Sequence, residues 1–306
     1  MSTCLTTIKW TVLAGGVASG PGCPMLYPVG LVVQVTFRRK VKVRVLFNQS
    51  MSFDHNELII DQFTKQAIPF TKKAARYIDE TFEKILSVVN VDESDVILDV
   101  ACGSGLISIE FAKISSQVTG IDITPAMIQQ AVLLQQKNML DNIKWDIHDI
   151  SENLPYPTGS FSIVASRFCF HHLLNPLSVL NEMNRVCAVG GQIVVIDTTP
   201  PPDKVDMFNH VEKLRDPSHV KALTVLEFED LFKKARIPVK RKAFYRMNFE
   251  LEEHLLASFP NPEDVNKIRQ LLVEDTNKNL LGLESHFNGD KIYFSYPNSI
   301  FVGQKE

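Results

Sequence analysis

The 306-residue chain is short of several things, and each shortage counts against a class of protein. Its five cysteines (Cys4, Cys23, Cys102, Cys169 and Cys187) are odd in number. They contain no Cys-x-x-Cys pair and no histidine spacing typical of zinc, so neither a disulfide framework nor a metal site is expected. They read as reduced thiols, which implies a cytoplasmic protein. Acid is missing from residues 1–50, which carry Lys9, Arg38, Arg39, Lys40, Lys42 and Arg44. The rest of the chain then holds 26 basic against 35 acidic residues, a net of −9. So acidic a body argues against nucleic acid as a partner, because phosphate binding needs a basic surface. Charge is also absent from Trp10 to Phe37. Gly15, Gly16, Gly20, Pro21, Gly22, Pro24, Pro28 and Gly30 interrupt that stretch, so it makes a poor spanning helix. Lys9 alone precedes it, which is weak for a signal peptide. No stable membrane insertion is expected.

Residues 1–50 do not match the rest of the chain. Val32–Val45 alternates loosely and includes a basic run, whereas Met51-Ser52-Phe53-Asp54-His55 reads like an ordinary protein start. We expect 1–50 to be an atypical, poorly ordered N-terminal extension or mis-assigned start. A targeting segment and a structural strand are the second and third readings. Residues 51–306 are expected to form the working domain.

Within that domain, helices are predicted over 54–67 and 70–89, the second amphipathic through Ala74, Ile78, Phe82, Ile85 and Val89. Strands at 96–100, 117–121, 143–147, 161–166 and 192–197 then alternate with helices at 106–114, 125–139 and 176–186. Thr124-Pro125 supplies a helix start. Gly190-Gly191 would supply left-handed turn residues. The alternation predicts an α/β fold, a doubly wound, mostly parallel sheet with right-handed crossovers. A crossover helix at 224–235, a strand at 239–249 and a last strand at 291–302 complete the domain. The helical stretch within 251–285 is an insert between the last two strands, and with 203–220 it is expected to act as a lid or as a dimer contact.

Asp99-Val100-Ala101-Cys102-Gly103-Ser104-Gly105 follows a strand and opens a helix. Glycines let backbone approach a ligand, and a helix start offers free N–H groups. Two features separate this loop from a dinucleotide fingerprint. The place of the third glycine is held by Ser108, and Asp99 precedes the loop, where a pyrophosphate would be repelled. An ammonium or sulfonium suits Asp99 better; the plainer alternative is a turn-capping aspartate. Asp122 ends the second strand, seventeen residues after Gly105. It can accept both hydroxyls of a ribose or simply cap a helix. Asp149, past the third strand, can accept from an adenine amine, whereas Asp146 is expected at the surface. These acids point to a nucleoside without phosphates, bound at the carboxyl ends of the strands.

The ordered segments Val96–Gly105, Gly120–Met127, Asp149 with Leu154-Pro155 and Ser160-Phe161, His171-His172, Glu182–Val186 and Gly190-Gly191 resemble the class I S-adenosylmethionine (SAM)-dependent methyltransferases. Within them the chain is similar to the quinone-biosynthesis type. The resemblance is close over about 95–200 and looser elsewhere from about 53. It implies a seven-stranded Rossmann-like sheet with SAM as cofactor. Asp99, Ala101, Gly103 and Gly105 would approach its amino-acid part. Asp122 would hold the ribose, with Ile123 and Met127 beside the adenine. Asp149 and the amide of Ile150 would read the adenine edge, and Ser166 and Arg167 would lie near the methionine moiety. Ala101 departs from the usual first glycine, and the usual proline near Ala188-Val189 is absent. The Asn-Pro-Pro-Tyr type motif of nucleic-acid and protein amine methylation is missing too.

The expected reaction is methyl transfer to a small-molecule acceptor by in-line displacement. A base is needed only for a nucleophile that carries a tightly held proton. His171 is the candidate base, unless the His171-His172 pair merely packs or caps. His172, Arg215 and His219 are candidates for the acceptor's side. Arg215 would bind a carboxylate or phenolate, or pair locally with Asp216 or Glu212. The rival readings are a non-catalytic SAM-binding protein and a nicotinamide-dependent oxidoreductase, which the missing third glycine and Asp99 disfavour. A homodimer is compatible with the insert.

Overall fold

The computed structural model describes residues 53–306, together with the strand backbones of 11–12, 32–36 and 42–46. Strands β1 (Thr11–Val12), β2 (Val32–Thr36) and β3 (Lys42–Leu46) form an antiparallel ribbon. The other expectations for 1–50 lie outside the described residues. Next come helices α1 (Phe53–Ala74) and α2 (Ile78–Leu86), joined by the tight turn Ala75–Tyr77. The break expected near residue 68 is absent, and Pro69 is accommodated inside α1. The break falls instead at the tight turn, seven residues later.

The alternating region begins with β4 (Val96–Val100), α3 (Leu106–Ala112), β5 (Gln117–Asp122), α4 (Pro125–Lys137) and β6 (Ile143–Ile147). It continues through β7 (Phe161–Arg167), α5 (Pro176–Val186), β8 (Cys187–Thr198), α6 (Val205–Arg215) and α7 (Val225–Lys234). The end is β9 (Val239–Glu250), α8 (Leu251–Ser258), α9 (Val265–Asp275), β10 (His286–Asn288) and β11 (Lys291–Gln304). Gly190 has the expected positive φ of 79°, but Gly190 and Gly191 lie within β8. Gly190 is thus a local kink in a strand that starts five residues earlier than expected. The insert between β9 and β11 exists, as two helices and a short hairpin strand.

Strand order is β1-β2-β3-β6-β5-β4-β7-β8-β11-β10, with β9 paired to the free side of β11. From β6 to β8 every pairing is parallel, and β11 runs antiparallel to both β8 and β9. The strands alternate between two apolar clusters. Ile97, Ile163 and Ile196 face α2 and α3, while Leu98, Val164 and Val195 face α5 and α7. Side-chain period 2 with both faces covered is what a central parallel sheet requires. The crossovers reverse direction beside β4. The crevice there, at the carboxyl ends of β4 and β7, is where an open α/β sheet binds ligands.

Trp145 on β6 fixes the packing next to that crevice. Its ring is fully buried, and Nε1 donates to Gln135 Oε1 at 2.7 Å. A Cβ added to Gly105 or to Gly120 would come within 2.4 Å of the ring. Both glycines are therefore needed for the tryptophan to lie flat against the loop.

Candidate functional site

The loop after β4 turns by left-handed residues: Ala101 at φ 55°, Gly103 at 54° and Gly105 at 75°. Such values are unusual for alanine and cost glycine nothing. Cys102 N donates to Ile121 O at 3.0 Å, which ties the loop to β5. Asp122 holds the turn from the other side. Its Oδ2 accepts from Gly103 N and its Oδ1 from Thr124 N, both at 2.8 Å. Asp122 thus fixes the turn into α4, whose N-cap residue Thr124 makes no side-chain capping bond.

Asp99 is fully buried. Ser108 Oγ donates to its Oδ2, while Oδ1 has no partner among the described residues. Burial raises the carboxyl to about 7, against the opposing pull of Ser108 and Arg167. Ser108 is where a dinucleotide loop has its third glycine, so a hydroxyl that serves Asp99 replaces the close helix contact. An orphaned carboxylate oxygen on the wall of a ligand crevice calls for a donor, best a cationic one.

These residues line a cavity of about 360 Å³. That is within the range of small-molecule sites. Of the residues singled out from the sequence, Asp99, Ala101, Gly103, Asp122, Ile123, Met127, Asp149, Ile150, Arg167 and His172 meet in it. Gly105 and Ser166 do not line it: Gly105 serves Trp145, and Ser166 is fully buried in β7. Asp146, expected at the surface, is buried and accepts from Tyr156 Oη at 2.7 Å. The register of β6 with β5 turns it inward.

α1 closes the cavity, which sequence reasoning missed. Asn56 Nδ2 donates to Asp149 Oδ2 at 2.6 Å, and His55 Nε2 bonds the carbonyl of His172 at 2.7 Å. Ile59 and Phe63 complete that wall. No local pattern marks Asn56, because its role depends on a contact 93 residues away.

A second cavity of about 110 Å³ adjoins the first, and Phe63, Phe70, Arg167, Phe168 and His172 line both. His171 and Arg215 belong to this second space. His171 Nδ1 lies 2.5 Å from Asp197 Oδ1, and Nε2 has no hydrogen bond among the described residues. Burial pulls the imidazole down, but the charge and hydrogen bond of Asp197 outweigh it and raise its pKa above the usual value. His172 shifts the other way, to about 4, through burial and then the neighbouring His171. Arg215 makes the local pair that its sequence neighbours offer, with Nε and Nη2 on Glu212 Oε2 at 2.9 and 2.7 Å and Asp216 at 3.8 Å. His219 lines neither cavity; its Nε2 bonds Asn209 Oδ1 at 2.7 Å. Lys73, His254 and Tyr296, which carried no sequence signal, also line the second space.

The fold is an open α/β sheet with a crevice at its switch point, and the acids lining that crevice suit a cationic ligand. Residues 91–259 match the family described as "Methyltransferase domain". The chain belongs to this family, the class whose cofactor is SAM. It is 29% identical over 173 residues to an uncharacterized methyltransferase, YcgJ, of Bacillus subtilis, covering 54% of this chain and 68% of that one. It is 33% identical over 120 residues to a demethylmenaquinone methyltransferase of Staphylococcus epidermidis, spanning 38% of this chain and about half of the relative (48%). The crystal structure of YcgJ superposes with a TM-score of 0.65 at 22% identity, over 71% of this chain and 94% of that one. A phosphoethanolamine N-methyltransferase of Haemonchus contortus, solved with S-adenosylhomocysteine (SAH), shares the fold at a TM-score of 0.56 and 13% identity, over 85% of this chain and 62% of that one. Among the described residues, no helix is long and apolar enough to cross a membrane, and no cluster suits a metal ion.

Proposed function

We propose that this chain transfers a methyl group from SAM to a small-molecule acceptor. The unpartnered Oδ1 of buried Asp99 carries the reading, because it leaves one wall of the first cavity in need of a cation. The residues fit the cofactor. Asp99 receives the ammonium, and Arg167, which makes no ion pair among the described residues, faces the carboxylate. Asp122 takes the ribose hydroxyls with lone pairs left over from its two backbone bonds. Ile123 and Met127 flank the adenine, whose amine and edge meet Asp149 and the Ile150 amide. When bound, SAM supplies an electrophilic methyl group on a sulfonium leaving group.

The protein's part is to bind, orient and move one proton. Holding two reactants in line is worth roughly 7–11 kcal/mol in favourable cases. The acceptor occupies the second cavity, which residues of α1, α8 and β11 help to line. His171 Nε2 takes the acceptor's proton, while Asp197 fixes the Nδ1–H tautomer and stabilises the imidazolium. His172, low in pKa, stays neutral at the junction of the two spaces.

Incubation with methyl-labelled SAM and a metabolite extract tests this. Wild type is expected to label an extract component, and Asp122→Ala is expected to label far less. SAH binding without label in any fraction would favour a non-catalytic SAM-binding protein.

A further inference from the structure

Lys73 is a buried amine on the wall of the second cavity. Its Nζ touches His254 Nδ1 and lies 4.4 Å from the centre of the Phe249 ring. It has no ion pair among the described residues. Its hydrogen-bond direction can be worked out from the far end. Tyr296 Oη donates to Glu212 Oε1 at 2.6 Å, a carboxylate already charged by its pairing with Arg215. The tyrosine's one proton is spent there, so His254 Nε2, 3.2 Å away, must donate to Oη. His254 is then neutral with Nδ1 as an acceptor, and Lys73 donates to it. Burial pushes His254 well below its usual pKa, in keeping with that form. The chain Lys73–His254–Tyr296–Glu212 therefore aims Lys73 and keeps its one carboxylate, Glu212, out of a direct ion pair with the amine. Burial, followed by the nearby Arg215, brings the amine down to about 7, against the opposing pull of Glu253 and Glu212.

Resting on the proposed methyl transfer, we infer that Lys73 anchors a carboxylate of the methyl acceptor, at the end remote from the methylated atom. A monoanion fits better than a phosphate. Glu212 and Asp216 line the same small space and oppose a second negative charge. Arg215 is taken by those two acids, and Arg167 is shared with the cofactor cavity. Phe70, Phe249 and Tyr296 give the rest of the acceptor an apolar bed.

The test uses the full-length protein, methyl-labelled SAM and a metabolite extract split beforehand on an anion exchanger at neutral pH. Label is expected only with the retained fraction. It should survive phosphatase treatment of that fraction and vanish after methyl esterification of its carboxylates. Lys73→Met is expected to raise KM by roughly ten- to a hundredfold, the range for a hydrogen bond to a charged group, with kcat changed much less. Lys73→Arg should retain part of the affinity, and both variants should bind SAH as wild type does. Label in the unretained fraction, loss of label with phosphatase, or an unchanged KM in a folded Lys73→Met protein would overturn the inference. Failure to bind SAH and to label any fraction would instead defeat the methyltransferase proposal beneath it.

Discussion

Asn56 Nδ2 and Asp149 Oδ2, 93 residues apart in sequence, are joined by a 2.6 Å hydrogen bond. The first turn of α1 is thereby tied to the loop expected to read an adenine. With His55 bonded to the His172 carbonyl, α1 is latched both at the first cavity and at its junction with the second. Removing the latch without touching the floor of the site should loosen ligand holding. Asn56→Ala is expected to weaken SAH binding by a few-fold to about tenfold, mainly through faster dissociation. Stopped-flow displacement measures this, and an unchanged dissociation rate would show that α1 does not gate the cavity.

If Asp99 receives the cofactor's ammonium as proposed, cofactor binding should depend on pH. Its carboxyl is raised to about 7 by burial, so below that value it is neutral and gives a cation no partner. SAH affinity should rise with pH by up to about tenfold per unit below 7 and level off above it, with a proton released on binding. Asp99→Asn should bind weakly with a flattened profile. The stability effect has the opposite sense. A raised carboxyl pKa favours the ligand-free fold at low pH, and that contribution is lost as pH climbs from the unfolded value of 3.8 toward 7. Ligand-free Asp99→Asn should therefore melt above wild type at pH 8, as scanning calorimetry would show.

His171 and Asp197 should act as a unit. Their pairing raises the imidazole pKa, so kcat/KM is expected to climb with pH through a value above 6.5. Asp197→Asn removes the raising influence and leaves burial, so the limb should move to lower pH while kcat drops about a hundredfold or more. An Asp197→Asn profile that keeps its position would mean that Asp197 only packs.

The glycines beside Trp145 make a structural prediction. Gly120→Ala places a Cβ 2.4 Å from the indole and should cost about 1–3 kcal/mol in stability. Trp145→Phe, which removes the clashing ring atoms, should recover part of that loss in the double variant. Denaturant melts of the four proteins provide the cycle.

The sequence showed the first cavity far better than the second. Asp99, Gly103, Asp122 and Asp149 sit at or just past strand ends, and strand ends can be found from local apolar runs and the loops after them. The second cavity gathers α1, β8, α6, α8 and β11, elements that meet only through the sheet order. Lys73, His254 and Tyr296 come from three of them and look like ordinary amphipathic positions one at a time. Asp146 and Gly105 misled for a related reason. Each faces a partner, Tyr156 or Trp145, that register and tertiary packing supply.

Calorimetric titration of the purified protein with SAH at pH 7.5 addresses the cofactor assignment most directly. Saturable one-to-one binding is predicted, weakened at least about tenfold by Asp122→Ala, which removes an acceptor of charge-assisted hydrogen bonds. No binding heat at millimolar SAH from folded wild type, or equal affinity in the variant, would contradict the account.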